Sequence, residues 1–247
     1  MTVQDIYTLL KQKAPIELAE ERDNVGLLVG DATAEVSTVV VALDVTDAVI
    51  ETAVQNKAEL VITHHPVIFD PLKTVTADSR VHRLIRAGIS VISMHTNADK
   101  TVGGVNDCLA EKLGLSDVEI APDGMCRIGK LSASMTAEVF ASYVSQCLDT
   151  AVRVKAGTDM IRTVALCGGG GAAMVLPLLD VADAALTGEV KHHEWLSVPS
   201  DKTLVDGGHY ATENAITDRF CEWLQEDFPD LMICHHKGEA PYSTIKG

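Results

Sequence analysis

Val61-Ile62-Thr63-His64-His65-Pro66 is an apolar, β-branched run that stops at two adjacent imidazoles. With Leu60 in front of it, the run has the unbroken apolar character of a strand covered on both faces, so the histidines are delivered to the edge of a sheet. Successive strand residues point to opposite faces. Two neighbouring imidazoles are therefore expected to serve two ions lying side by side rather than one small ligand.

The chain on either side repeats the theme. Upstream, Val3, Ile6, Leu9 and Leu10 fall at helical spacing, and Pro15 ends that helix. Asp23–Gly30 reads as a short strand or a tight loop. Thr38–Val45 reads as a buried strand and Asp47–Lys57 as a helix. Downstream come a helix over Arg80–Ala87 stopped by Gly88, a third strand over Ile89–Met94 that ends at His95, and a helix over Val105–Leu113. The second half is read in the same way. Its strands are Ala151–Lys155, Thr163–Cys167, Ala184–Thr187, Thr203–Val205 and Leu231–Cys234, and its helices Ala137–Leu148, Ala172–Leu179, Glu189–Leu196 and Ala211–Gln225. Strands alternating with helices imply βαβ units and mainly parallel sheets. The turn-rich Pro122-Asp123-Gly124 gives the expected boundary, so the fold class is α/β with two domains, 1–124 and 125–247, whose similar strand spacing suggests an internal duplication.

Composition narrows the functional classes. The 247 residues carry 20 Lys plus Arg against 35 Asp plus Glu, a net charge of −15, and no local basic patch offsets it, so nucleic acid is not an expected partner. No apolar run approaches the roughly 18 residues of a membrane span, and the N-terminus lacks the basic-then-apolar order of a signal peptide. Six cysteines without a C-x-x-C read as reduced thiols, which fits a cytoplasmic protein.

Ligands of open α/β sheets gather at the carboxyl ends of the strands. His64 and His65 lie at one such end, and His95 with Asp99 at the next. In the second half the matching position is His209, followed four residues later by Glu213 at a helix entry, which puts both side chains on one helical face. The candidate ligands are therefore His64, His65, Asp99, His209 and Glu213, with His95 behind them. Mixed imidazole and carboxylate donors suit zinc, iron, manganese or cobalt, and the lack of cysteine argues against a closed structural zinc site. Two such ions, roughly 3.5–4 Å apart, would activate water and clamp an oxyanion.

Seven segments resemble the Nif3-like family, whose members are often labelled GTP cyclohydrolase 1 type 2 homologues. They are Asp23–Gly30, Val41–Thr46, Ile62–Pro66, His95–Asp99, Gly103–Asp107, Thr187–Glu189 and Gly208–Glu213, and they recur in order along nearly the whole chain. The resemblance implies a dinuclear metal centre between two α/β domains and a ring-shaped homohexamer. It places the family's ligands on His64, His65, Asp99, His209 and Glu213; within that set Asp99 or Glu213 is expected to bridge the two ions. It makes His95 and His193 neighbours of the site. Glu213 and His95 are the candidate proton acceptors. This chain has the short form, without the domain that some relatives insert.

Other motifs are read as structural. Gly168-Gly169-Gly170-Gly171 fits a tight turn better than a dinucleotide cradle, since no Walker lysine follows. His235-His236 reads as a surface pair, His82 as structural or exposed, and Trp195 and Trp223 as core. The expected function is metal-dependent hydrolysis of a small-molecule substrate. A triphosphate is disfavoured by the scarcity of cationic residues near the ligands. The rival reading is a non-enzymatic metal scaffold, insertase or chaperone.

Overall fold

The computed structural model describes residues 1–243. In chain order its elements are α1 (Val3–Lys13), β1 (Gly26–Val29), β2 (Thr38–Ala42), α2 (Asp47–Gln55), β3 (Leu60–Thr63), α3 (Arg80–Ala87), β4 (Ser90–Ser93), α4 (Thr96–Lys100), α5 (Val105–Lys112), β5 (Ser116–Ile120), β6 (Arg127–Met135), α6 (Ala137–Leu148), β7 (Arg153–Lys155), β8 (Ile161–Cys167), α7 (Ala172–Val175), β9 (Ala184–Thr187), α8 (His192–Ser197), β10 (Thr203–Asp206), α9 (His209–Glu213), α10 (Ala215–Asp227) and β11 (Met232–His235). Helix boundaries follow local chemistry. Thr2 and Asp5 form a capping box on α1, the Thr46, Ser79 and Thr136 hydroxyls accept the backbone N–H three residues on, and Gly88 ends α3 in the left-handed region.

Two compact units result. The first comprises Met1–Gly104 and Ile216–Gly238, and the second comprises Val105–Ala215 and the described residues from Glu239 onward. This division departs from a cut at residue 124. The sheets explain it, because β5 pairs with β6 while β11 pairs with β2.

The first unit is built on a five-stranded sheet ordered β1-β4-β3-β2-β11, parallel except for β1. Every residue of β2, β3 and β4 is buried, which is why their sequences show apolar runs rather than alternation. Register aligns Ala42 with Thr63 and Thr63 with Ser93. Asp44, His64, His65 and His95 thus all lie within two residues past one carboxyl edge. His235 and His236, read from sequence as a surface pair, are half-buried. The His235 ring bonds the Thr217 hydroxyl at 2.8 Å and the His236 ring bonds the Thr52 hydroxyl at 3.0 Å, so the pair pins β11 to α10 and α2.

The second unit carries a six-stranded sheet ordered β5-β6-β8-β9-β10-β7. Its centre, β8-β9-β10, is parallel, and the flanking strands are antiparallel. Cys167, Thr187 and Asp206 are in register, so the segments after them, 168–171, 188–189 and 207–209, share one edge. Leu109, Phe140, Val144, Val164, Leu186 and Val205 form part of the core on one face. Trp195 packs partly buried on the other core cluster of the unit, and its ring faces Arg153. In the first unit Trp223 is buried against Phe220, as expected of a core residue. None of the six cysteines is in a disulfide among the described residues. Contact with the Cys167 thiol and burial push the Cys126 thiol far up, and burial pushes Cys221 up to about 12. Both thiols are inert at neutral pH, Cys126 in the core and Cys221 half-buried. No helix among the described residues is long and apolar enough to cross a membrane.

Candidate functional site

In the first unit the strand of the sequence reading ends at Thr63, so the opposite-face rule does not govern the two residues that follow. His64 and His65 turn toward each other, with ring centroids 4.9 Å apart. His95 stands 5.1 Å from His64 and 5.6 Å from His65. Ligand atoms of the three imidazoles lie within 4.8 Å of one another, close enough to share one cation. Asp99, on the short α4, brings Oδ1 to 3.6 Å from His64 Nε2. His64 is fully buried, whereas the His65 and His95 side chains are about one-fifth exposed.

Each of these rings is oriented from behind. His64 Nδ1 donates to the Met94 carbonyl at 2.8 Å, His65 Nδ1 to Asp44 Oδ1 at 2.8 Å, and His95 Nδ1 to Asp23 Oδ1 at 2.9 Å. An oxygen acceptor on Nδ1 fixes the proton there and directs the Nε2 lone pair forward, the tautomer a metal ligand needs.

Asp23 is almost fully buried. Burial alone would raise its carboxyl. Hydrogen bonds from His95, the Thr96 hydroxyl and the Thr96 N–H instead hold it well below the usual carboxylate range. Its folded value lies below the unfolded one, so it contributes stability above the ordinary value of 3.8 that is lost as pH falls through the folded value. With chelator present, denaturant unfolding should show native protein more stable than Asp23→Asn near neutrality, the gap closing only below about pH 4. A gap that does not change with pH would contradict this.

The second unit presents its own pair. Gly208, at φ +80, turns the chain from β10 into α9, and the single turn of α9 carries His209 and Glu213 on one face as the i, i+4 spacing predicts. His209 Nε2 lies 2.9 Å from Glu213 Oε2, and Nδ1 lies 2.8 Å from Glu189 Oε1. The ring is therefore held between two carboxylates. With Nδ1 protonated toward Glu189, Nε2 and the carboxylate oxygen present lone pairs to each other across 2.9 Å, a spacing that calls for a positive charge, either a proton or a metal ion. Glu213 is buried, whereas Glu189 is exposed.

His64, His65, His95 and Asp99 are thus gathered in one unit, and His209 and Glu213 in the other. His193 is exposed on α8, and among the described residues no close group of ligand atoms includes it. Lys100 pairs with Glu20 at 2.5 Å. Three orienting carboxylates, Asp23, Asp44 and Glu189, escaped the assignment of roles from sequence. Asp44 and Glu189 follow strand ends at the same edges as the histidines, and that position is the signal that could have found them. The glycine turn is structural, as read: Gly168 N–H donates to Asn106 Oδ1 and Gly169 N–H to the Thr212 hydroxyl. The donor set of neutral imidazole Nε2 atoms and carboxylates fits divalent cations of the zinc, iron or manganese type.

The family model described as Duf34/NIF3 (NGG1p interacting factor 3) matches residues 1–239. A Lactococcus lactis protein named GTP cyclohydrolase 1 type 2 homolog is 33% identical over 222 residues, covering 85% of this chain and 86% of its own. A Clostridium perfringens protein of the same name is 31% identical over 99% of this chain and 100% of its own. A Bacillus cereus protein related to NIF3, 23% identical, has the same fold, with a TM-score of 0.90 over 99% of both chains. With its matching motifs spread from Asp23 to Glu213, the chain belongs to the Duf34/NIF3 family.

Proposed function

We propose that this chain is a metal-dependent hydrolase of a small-molecule substrate, with two divalent ions held by His64, His65, Asp99, His209 and Glu213. The observation that carries the reading is the common arrangement of the imidazoles. His64, His65 and His209 each commit Nδ1 to an oxygen acceptor, so each is set to present Nε2 to a cation. When bound, such ions supply Lewis acidity toward a substrate oxygen and lower the pKa of water. Asp44 and Glu189 hold the rings of His65 and His209. Asp23 holds His95, which stands beside the ligands and can accept or return a proton at Nε2. The relatives' name points to GTP, but the net charge of −15 and the pairing of Lys100 with Glu20 are a poor match for a triphosphate. The substrate class we favour carries less negative charge. A homohexamer located in the cytoplasm completes the proposal.

The test is elemental analysis of gently purified protein, with about two equivalents of metal per chain expected, followed by hydrolysis assays on GTP and on less charged substrates with and without added Mn2+ or Zn2+. Absence of bound metal would end the proposal. Metal without turnover, combined with rapid exchange to a chelator and no unfolding, would favour delivery of metal instead. Glu189→Ala is expected to weaken metal affinity by about 10- to 100-fold with little change in stability, since Glu189 is exposed. Competition with a chromophoric chelator measures the first and denaturant unfolding the second.

A further inference from the structure

Gly169 lies against the His209–Glu213 pair with no room for a side chain. A Cβ built there would overlap Glu213 Oε1 and lie 2.8 Å from Glu213 Cδ and 3.1 Å from His209 Nε2. A Cβ on its neighbour Gly168 would be tight rather than overlapping, 3.1 Å from Val105 Cγ1 and 3.2 Å from Glu213 Cγ. Gly169 also has φ +56, where side chains are disfavoured. Its backbone is held from both sides. The N–H donates to the Thr212 hydroxyl at 3.1 Å, and the carbonyl accepts from Gly188 N–H at 2.9 Å and from the Thr187 hydroxyl at 3.2 Å. The buried Glu213 carboxylate therefore rests on bare, fixed main chain and is aimed at His209.

We infer that Gly169 is a positioning residue for the metal ligands: its bare backbone is the wall that sets where the Glu213 carboxylate meets His209 Nε2. The inference rests on the proposed metal site, and it gives the glycine turn a role in ligand geometry rather than in phosphate binding. Gly170, whose added Cβ would meet open space, marks the limit of that wall.

The test is Zn2+ affinity by chelator competition in native protein, Gly169→Ala, Gly170→Ala and Thr212→Val, with thermal unfolding alongside. Gly169→Ala should bind at least about tenfold more weakly, and Gly170→Ala should match native protein. Thr212→Val, which keeps the side-chain volume but removes the hydroxyl that holds Gly169, should lose about fivefold, so the inference stays testable even if Gly169→Ala folds poorly. Because Asp is one methylene shorter, Glu213→Asp should cost less affinity in the Gly169→Ala background than in the native one, a coupling that a purely structural glycine would not produce. Native affinity in Gly169→Ala, or strictly additive losses in the double variant, overturns the inference while leaving the metal site standing. Failure of native protein to bind Zn2+ overturns both.

Discussion

An Arg127→Ala protein is expected to lose about 3–5 kcal/mol of stability, a large share of what holds a domain of this size together. Arg127 is 1% exposed at the start of β6. Its Nε and Nη2 donate to the two oxygens of Asp107 at 2.6 and 3.2 Å, and its Nη1 donates to the Met125 carbonyl at 2.8 Å. Truncation removes the cation from a mostly buried carboxylate, a cost that arises in the folded state alone, while the Met125 carbonyl keeps the Asn106 amide as donor. Urea unfolding monitored by circular dichroism measures the loss. Replacing both partners, as Arg127→Met with Asp107→Leu, should recover most of it, because the expense lies in a buried carboxylate that has lost its cation rather than in the missing bond. A loss below about 1 kcal/mol for the single variant would show that the pair behaves as a solvated one.

The second large effect is on metal content. A His64→Ala, Glu213→Ala protein should retain far less than the roughly two equivalents expected of native protein. His64 is the most buried of the candidate imidazoles and Glu213 the more buried of the two candidate carboxylates. The loss should appear in elemental analysis and as the disappearance of any metal-induced rise in melting temperature, since a ligand that binds only the native state stabilises it by mass action. Retention of native metal content by the double variant would remove both residues from the ligand set.

The parallel centres of both sheets were legible because Val39–Ala42, Leu60–Ile62, Val164–Cys167 and Ala184–Leu186 are unbroken apolar runs, and a stretch buried on both faces needs no other signal. The i, i+4 pair His209 and Glu213 was legible for a similar reason, since helix geometry converts spacing directly into proximity. β6 was not. Its buried face begins with Arg127 and continues through Gly129 and Leu131, and a charged residue at a core position breaks the alternation unless its partner, Asp107, is known to be near. The helix expected over Ala211–Gln225 is two helices, α9 and α10, meeting at Asn214, because periodicity continues across the joint. Orientation of the imidazoles by Asp23 could not be read at all, since 72 residues separate it from His95.

The return of the chain to its first sheet has a consequence for synthesis. β2 is flanked by β3 on one side and by β11 on the other, yet β11 is made nearly 200 residues after β2, from Met232 to His235. Until then the buried Thr38-Val39-Val40-Val41-Ala42 segment is an open, apolar edge strand, a template for pairing with another chain. Residues 105–215 of the second unit are continuous in sequence and can be made and folded in that interval. The sheet of the first unit is completed only when β11 has been made, so the edge of β2 stays open to aggregation throughout the synthesis of the residues between them.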